Sequence, residues 1–210
     1  MGHRVHAPTQ TGLGERRHLF SPALTLDSFV TDIVQVIEAE ELEQVILVGH
    51  SFAGCVIPGV ADRIAERLRR LVFLDAVILR NGQCLVDGLP AEAAAERRRQ
   101  IAAHEADGLP PPDPAVFGVT GADRDWLLRR LTPQPVHTHD TPMRLAHPFA
   151  NGLPCSFISC TDPPLANVEP SRHWARAQAG WDWHELRTGH DAMVTAPDET
   201  AALLAALACA

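Results

Sequence analysis

This sequence predicts an α/β fold, a mostly parallel sheet flanked by helices, and three observations carry that expectation. Short apolar runs alternate with segments whose apolar residues recur at helical spacing. The runs Val45–Val48 and Leu71–Leu74 are continuously apolar, as strands covered on both faces are. The chain is 46% hydrophobic over 210 residues, enough for one packed core, so a single domain is expected across 1–210.

The elements follow in order. Arg4–Ala7 reads as a short strand ended by Pro8. Thr25 offers an N-cap, and Leu26, Phe29, Val30, Ile33, Val34 and Ile37 follow at helical spacing. Val45–Val48 is expected to be a buried central strand, and Val56, Val60, Ile64 and Leu68 mark one face of the next helix. Leu71–Leu74 is a second buried strand ending at Asp75. Between about residues 77 and 151 this regularity lapses into a helical piece at Ala91–His104, a loop at Pro110–Pro114 and a short helix around Trp126. Eight of the 17 prolines fall between Pro110 and Pro148, which does not suit a sheet, so this stretch reads as a cap inserted into the domain. The pattern resumes with a strand at Ser156–Ser159, a helix near Ser171–Ala179 and a strand at Trp183–Leu186. A closing helix starts at Pro197 and buries Leu203, Leu204 and Leu207.

Absences narrow the chemistry. There is no Tyr, and all 18 basic residues are Arg, which excludes lysine Schiff bases, a P-loop lysine and a Tyr–Lys dehydrogenase site. A net charge of -8 argues against a nucleic-acid partner. No apolar run approaches the roughly 20 residues of a membrane span, and no signal-peptide pattern opens the chain, so a cytoplasmic protein without membrane partners is expected. Cys55, Cys84, Cys155, Cys160 and Cys209 are odd in number without paired spacing, and read as free thiols. Gly12-Leu13-Gly14 lacks the third glycine of a dinucleotide fingerprint and reads as a turn. His137 and His139 read as cap surface, and neither a metal nor a cofactor is expected.

The chemistry concentrates at Gly49-His50-Ser51-Phe52-Ala53-Gly54, which follows a strand and precedes a helix. Small neighbours let a serine on a tight strand-to-helix turn project its Oγ above the sheet, beside N–H groups at the helix start that can hold an oxyanion. Such a serine needs a base, and His190 lies in the loop between the last strand and the last helix. His50, its neighbour on the turn, is expected to pack or orient. A carboxylate should fix the imidazole. Asp162, just past the Ser156–Ser159 strand, is preferred; Asp75 is the alternative acid and Glu169 a third candidate.

The motifs Ala7-Pro8-Thr9-Gln10-Thr11-Gly12-Leu13-Gly14-Glu15-Arg16, Val48-Gly49-His50-Ser51-Phe52, Leu74-Asp75-Ala76 and Cys160-Thr161-Asp162 resemble the α/β-hydrolase branch of plant methylesterases, hydroxynitrile lyases and related bacterial esterases. The 28 residues from Asp162 to His190 suit that branch as well. The resemblance implies Ser51, Asp162 and His190 as a triad and the Phe52 backbone N–H as an oxyanion donor. It also implies hydrolysis of a small or medium ester through an acyl-serine. Lyases of the branch use a lysine that this chain lacks. Branch members also carry strands ahead of the segment at Arg4, one of which supplies the second oxyanion N–H from a His-Gly loop. The chain has no room for them, so the expectation is an exposed sheet edge, a possible homodimer through it, and weak turnover. The alternative reading is a binding protein lacking half of the oxyanion hole.

Overall fold

Four strands, all parallel, pair in the order β1-β2-β3-β4 in the computed structural model, which describes residues 2–209. Helix α1 spans Leu26–Ala39; the Thr25 N–H donates to Ser28 Oγ at 3.1 Å, and Leu26, Phe29, Val30, Val34 and Ile37 are buried along one stripe. Strand β1 (Val45–His50) leads through a 3-10 turn at Ser51–Cys55 into α2 (Ile57–Ile64), and β2 is Leu68–Leu74. Helices α3 (Ala91–Ala103), α4 (Gly121–Leu128) and α5 (His137–Asp140) follow before β3 (Cys155–Cys160). Then come α6 (Glu169–Arg176), β4 (Asp182–Leu186), α7 (Ala192–Thr195) and α8 (Pro197–Cys209).

The pleat sends alternate residues of β2 to opposite faces of the sheet. Leu71 and Phe73 join the larger core with Phe29, Val60 and Phe157, under α1 and α2. Val72 and Leu74 join Ile158 and Leu207 on the other face, under α8. That two-sided cover keeps the carboxyl end of β2 from solvent: Asp75, the next residue, is fully buried.

The structure corrects three local expectations. Arg4–Ala7 forms no strand; Val5 is 82% exposed. Those four residues hold one large apolar side chain, too little to anchor a strand with no ladder partner. Strand β1 is an edge strand rather than a central one, and Val48 is 37% exposed. Its aliphatic run still serves both faces, with Leu47 against the larger core and Ile46 against the smaller. Leu68 does not end α2: a 3-10 turn at Ala65–Arg67 breaks the helix and Leu68 begins β2.

Among the described residues, the stretch from 77 to 151 contributes no strand to the sheet, only an isolated bridge between Leu109 and Gln134. The Gly12–Gly14 segment is a turn, with Gly12 in the left-handed region, running into a 3-10 turn at Gly14–Leu19. No helix among the described residues is long and apolar enough to cross a membrane.

Candidate active site

Ser51 sits where the sheet hands over to α2, with φ +52°, a left-handed backbone that a residue with a Cβ adopts only under constraint. Two close approaches supply that constraint. A Cβ on Gly49 would lie 2.8 Å from the Ala53 carbonyl oxygen, so the turn folds back on a bare backbone. A Cβ on Gly54 would lie 2.4 Å from the Val77 carbonyl oxygen, where the loop after β2 crosses the helix start. The closest approach therefore falls on Gly54, and Ala53 is tolerated one position earlier. Phe52 is the second residue of the turn, and its backbone N–H has no acceptor within the turn.

From this elbow a continuous hydrogen-bond chain runs inward. Ser51 Oγ is 2.8 Å from His190 Nε2, and His190 Nδ1 is 2.7 Å from Asp75 Oδ2. A carboxylate can only accept, so Nδ1 carries the proton and Nε2 is left to receive that of Ser51. His190 and Asp75 are both buried. Asp75 has φ +40°, and its N–H donates to the Ile158 carbonyl at 2.7 Å, so the strand end itself aims the carboxylate. The second oxygen, Oδ1, accepts from the Cys160 N–H at 3.1 Å and from Arg172 Nε and Nη2 at 3.2 and 2.8 Å.

The preferred acid of the sequence reading, Asp162, is not brought to His190. Its carboxylate is 59% exposed and accepts from Arg187 Nε at 3.2 Å. The physical reason is that Nδ1 has a single proton, and the buried Asp75 already holds it. Glu169 is also displaced, its carboxylate receiving Arg172 Nη1 at 3.2 Å. Asp75, the alternative acid, takes the place, from the strand that follows the elbow helix. Sequence reasoning missed Arg172 altogether. The signal was there: Val168, Ser171, Arg172 and Ala175 form a buried stripe at helical spacing, with an arginine inside it.

His50 lies against His190. Its Nε2–H donates to the His190 carbonyl at 2.9 Å, and the two rings lie 4.6 Å apart. Burial, reinforced by the neighbouring His190, pushes the His50 pKa down to about 4. His139 contradicts its expected surface position. It is buried, stacked on the Phe52 ring with centroids 5.2 Å apart, and its Nδ1 accepts from Arg97 Nη1 at 2.7 Å. An arginine can only donate, so the proton of neutral His139 is on Nε2, which has no partner among the described residues. Burial and then the Arg97 charge lower its pKa to about 3. Phe117, from the same inserted stretch, lies 5.1 Å from the His190 ring. His50, His190 and Asp191 are the one group of three metal-capable side chains among the described residues. Both ring nitrogens of His190 and Nε2 of His50 are already committed to the hydrogen bonds above.

The two depressed histidines make the fold acid-sensitive. An unfolded histidine titrates near 6.5, while His50 and His139 stay neutral in the folded state down to about 4 and 3. The unfolded chain therefore binds more protons in that window, and stability present above about pH 6.5 is lost as pH falls. Each histidine contributes on the order of 3 kcal/mol to the loss accumulated between about pH 6.5 and 4. Asp191, raised by burial, takes up its own proton earlier when folded and offsets part of the loss. Urea melts at a series of pH values should show this decline, and His139→Gln should flatten it. A pH-independent midpoint from pH ~6.5 to ~4 would contradict the assignment.

The profile of the alpha/beta hydrolase family matches residues 1–203. A carbendazim hydrolyzing esterase of Nocardioides sp. (strain SG-4G) is 41% identical over 219 residues, covering 98% of this chain and 88% of that protein. Putative methylesterase 11, chloroplastic, of Arabidopsis thaliana is 31% identical over 87 residues, 41% of this chain and 22% of that protein. Among solved structures, an extracellular alpha/beta-hydrolase from a Paenibacillus species superposes with a TM-score of 0.82 at 23% identity, covering 99% of this chain and 88% of that one.

Proposed function

The chain belongs to the alpha/beta hydrolase family and is a hydrolase of ester bonds, and we propose that Ser51, His190 and Asp75 carry the reaction through an acyl-serine. The observation that carries this reading is the unbroken line from Ser51 Oγ through both ring nitrogens of His190 to the buried Asp75 carboxylate. His190 Nε2 takes the Ser51 proton as Oγ adds to the ester carbonyl, and returns it to the leaving alcohol as the tetrahedral adduct collapses. Water then adds to the acyl carbonyl, giving a proton to Nε2, and Nε2 returns that proton to Ser51 Oγ as the acyl–Oγ bond breaks and the acid leaves. The Phe52 N–H faces the developing oxyanion, and Asp75 stabilises the imidazolium without taking its proton.

Residues 77–151 act as a cap over this site, a role supported by Phe117 against His190 and His139 against Phe52. The substrate is a small or medium ester, and the identity to the Nocardioides protein makes carbendazim a substrate to assay beside p-nitrophenyl esters. Five free cysteines, four of them buried, suit a reducing, cytoplasmic setting. The outer edge of β1, unpaired among the described residues, is where we place a second copy of the chain. Size-exclusion chromatography should then give a dimer's mass, and a monomer's mass at all concentrations would remove that placement.

A fluorophosphonate probe tests the nucleophile. The expected result is one phosphonyl group per chain, mapped to the peptide containing Ser51, with ester turnover lost in proportion. An unlabelled chain that still turns over esters would overturn the reading. An inert, unlabelled chain would favour a binding protein instead.

A further inference from the structure

Arg172 is a charged residue buried on the inner face of α6, where such a residue is rare unless paired. All five of its N–H groups have acceptors. Nε and one Nη2 proton go to Asp75 Oδ1 at 3.2 and 2.8 Å, and the other Nη2 proton to the Cys160 carbonyl at 3.3 Å. The two Nη1 protons go to the Leu165 carbonyl at 3.0 Å and Glu169 Oε2 at 3.2 Å. A guanidinium so fully engaged is fixed in position and orientation. It fastens the loop after β3 to the end of β2, and the adjacent Ser171 Oγ accepts the Ile78 N–H at 2.9 Å from that same strand end.

We propose that Arg172 is a positioning residue for the triad, which fixes Asp75 with Oδ2 toward His190 and balances the buried carboxylate's charge, so that the Asp75–His190 pair is held ready to accept the Ser51 proton. The inference rests on the reading of Ser51, His190 and Asp75 as the triad. The Asp75 carboxylate has no solvent, and without the guanidinium its remaining partners are the Cys160 N–H and His190. A buried negative charge left in that state draws a proton onto the Asp75–His190 pair, and a protonated pair cannot accept the Ser51 proton. The other groups around His190 do not replace the charge. His50, at the end of β1, is neutral; Asp191, ahead of α7, is itself acidic; Cys160, from β3, is a buried thiol pushed up toward 12 by burial. On the Arg172 side, Glu169 is 68% exposed and of the wrong sign. Arg172 is the one cationic side chain in contact with Asp75 among the described residues.

The test compares Arg172→Met and Arg172→Lys with the native chain, reading kcat/KM for a p-nitrophenyl ester against pH. Arg172→Met should move the acidic limb upward by about one pH unit or more, with activity recovering at higher pH. Arg172→Lys keeps a charge and should return the limb most of the way. A purely structural role would lower the whole profile without moving its limb, and that result would overturn the inference. If Arg172→Met does not fold, the double variant Asp75→Asn, Arg172→Met decides. Recovered folding there means that the lone Asp75 charge was the fault, as proposed, whereas continued unfolding means that Arg172 serves only to hold the loop and the inference falls. Turnover surviving in Ser51→Ala would instead strike the triad reading, and this inference with it.

Discussion

Ser51→Ala should reduce ester turnover about a million-fold, to the level given by binding and the remaining oxyanion donor. The effect is this large because the elbow places the Ser51 hydroxyl 2.8 Å from His190 Nε2, the one hydroxyl bonded there among the described residues. Removing it takes away the acyl-enzyme route, and His190 alone is left to activate water at a site built for attack by Oγ. The substitution should leave the fold intact, since among the described residues Ser51 Oγ bonds only to His190 and the turn is held by the close approaches at Gly49 and Gly54. Progress curves with p-nitrophenyl acetate, together with circular dichroism of both proteins, check the two statements. Turnover within tenfold of the native chain would show that the nucleophile lies elsewhere.

The second large effect separates the two acids. Asp75→Asn should lower kcat by roughly 10⁴, since an amide can donate to Nδ1 and so push the imidazole proton onto Nε2, where it blocks acceptance from Ser51. Asp162→Asn should leave kcat within a factor of about two, because the Asp162 carboxylate is solvated and its one side-chain partner among the described residues is Arg187. Asp75→Asn also leaves Arg172 without its buried counter-ion, with only the exposed Glu169 carboxylate beside it, and a broken buried pair costs about 3–5 kcal/mol. Turnover is therefore measured at a temperature where the variant melts above the assay. A larger loss in Asp162→Asn than in Asp75→Asn would reverse the assignment.

Much of the fold was legible in the sequence because the local signals agreed with each other. The Thr25 cap and the Leu26–Ile37 stripe marked α1, the apolar runs marked β1 and β2, and the resumed strand-helix alternation marked β3. A continuous apolar run reports cover on both faces but not the number of neighbours, so it could not place β1 at the edge. The elbow and the histidine facing it were legible because a tight turn admits few residue types, and the loop after the last strand lies at the same end of the sheet. The acid was not fixed by spacing. Asp75 and Asp162 both follow strands, and what divides them is burial: one has a guanidinium from α6 to neutralise it, the other faces water. That guanidinium arrives from 97 residues along the chain, a distance over which no periodicity speaks. His139 likewise looked like surface, since its cover comes from Arg97 and Phe52 rather than from residues beside it.

The central claim, an acyl group carried on Ser51, is tested most directly by trapping that intermediate. Rapid acid quenching during turnover of a p-nitrophenyl ester, followed by digestion and mass spectrometry, reads where the acyl group sits. The account predicts an acyl adduct on the peptide containing Ser51, formed within the first turnover and absent from Ser51→Ala. Undiminished turnover with no adduct on Ser51, or with the adduct on another residue, would contradict it.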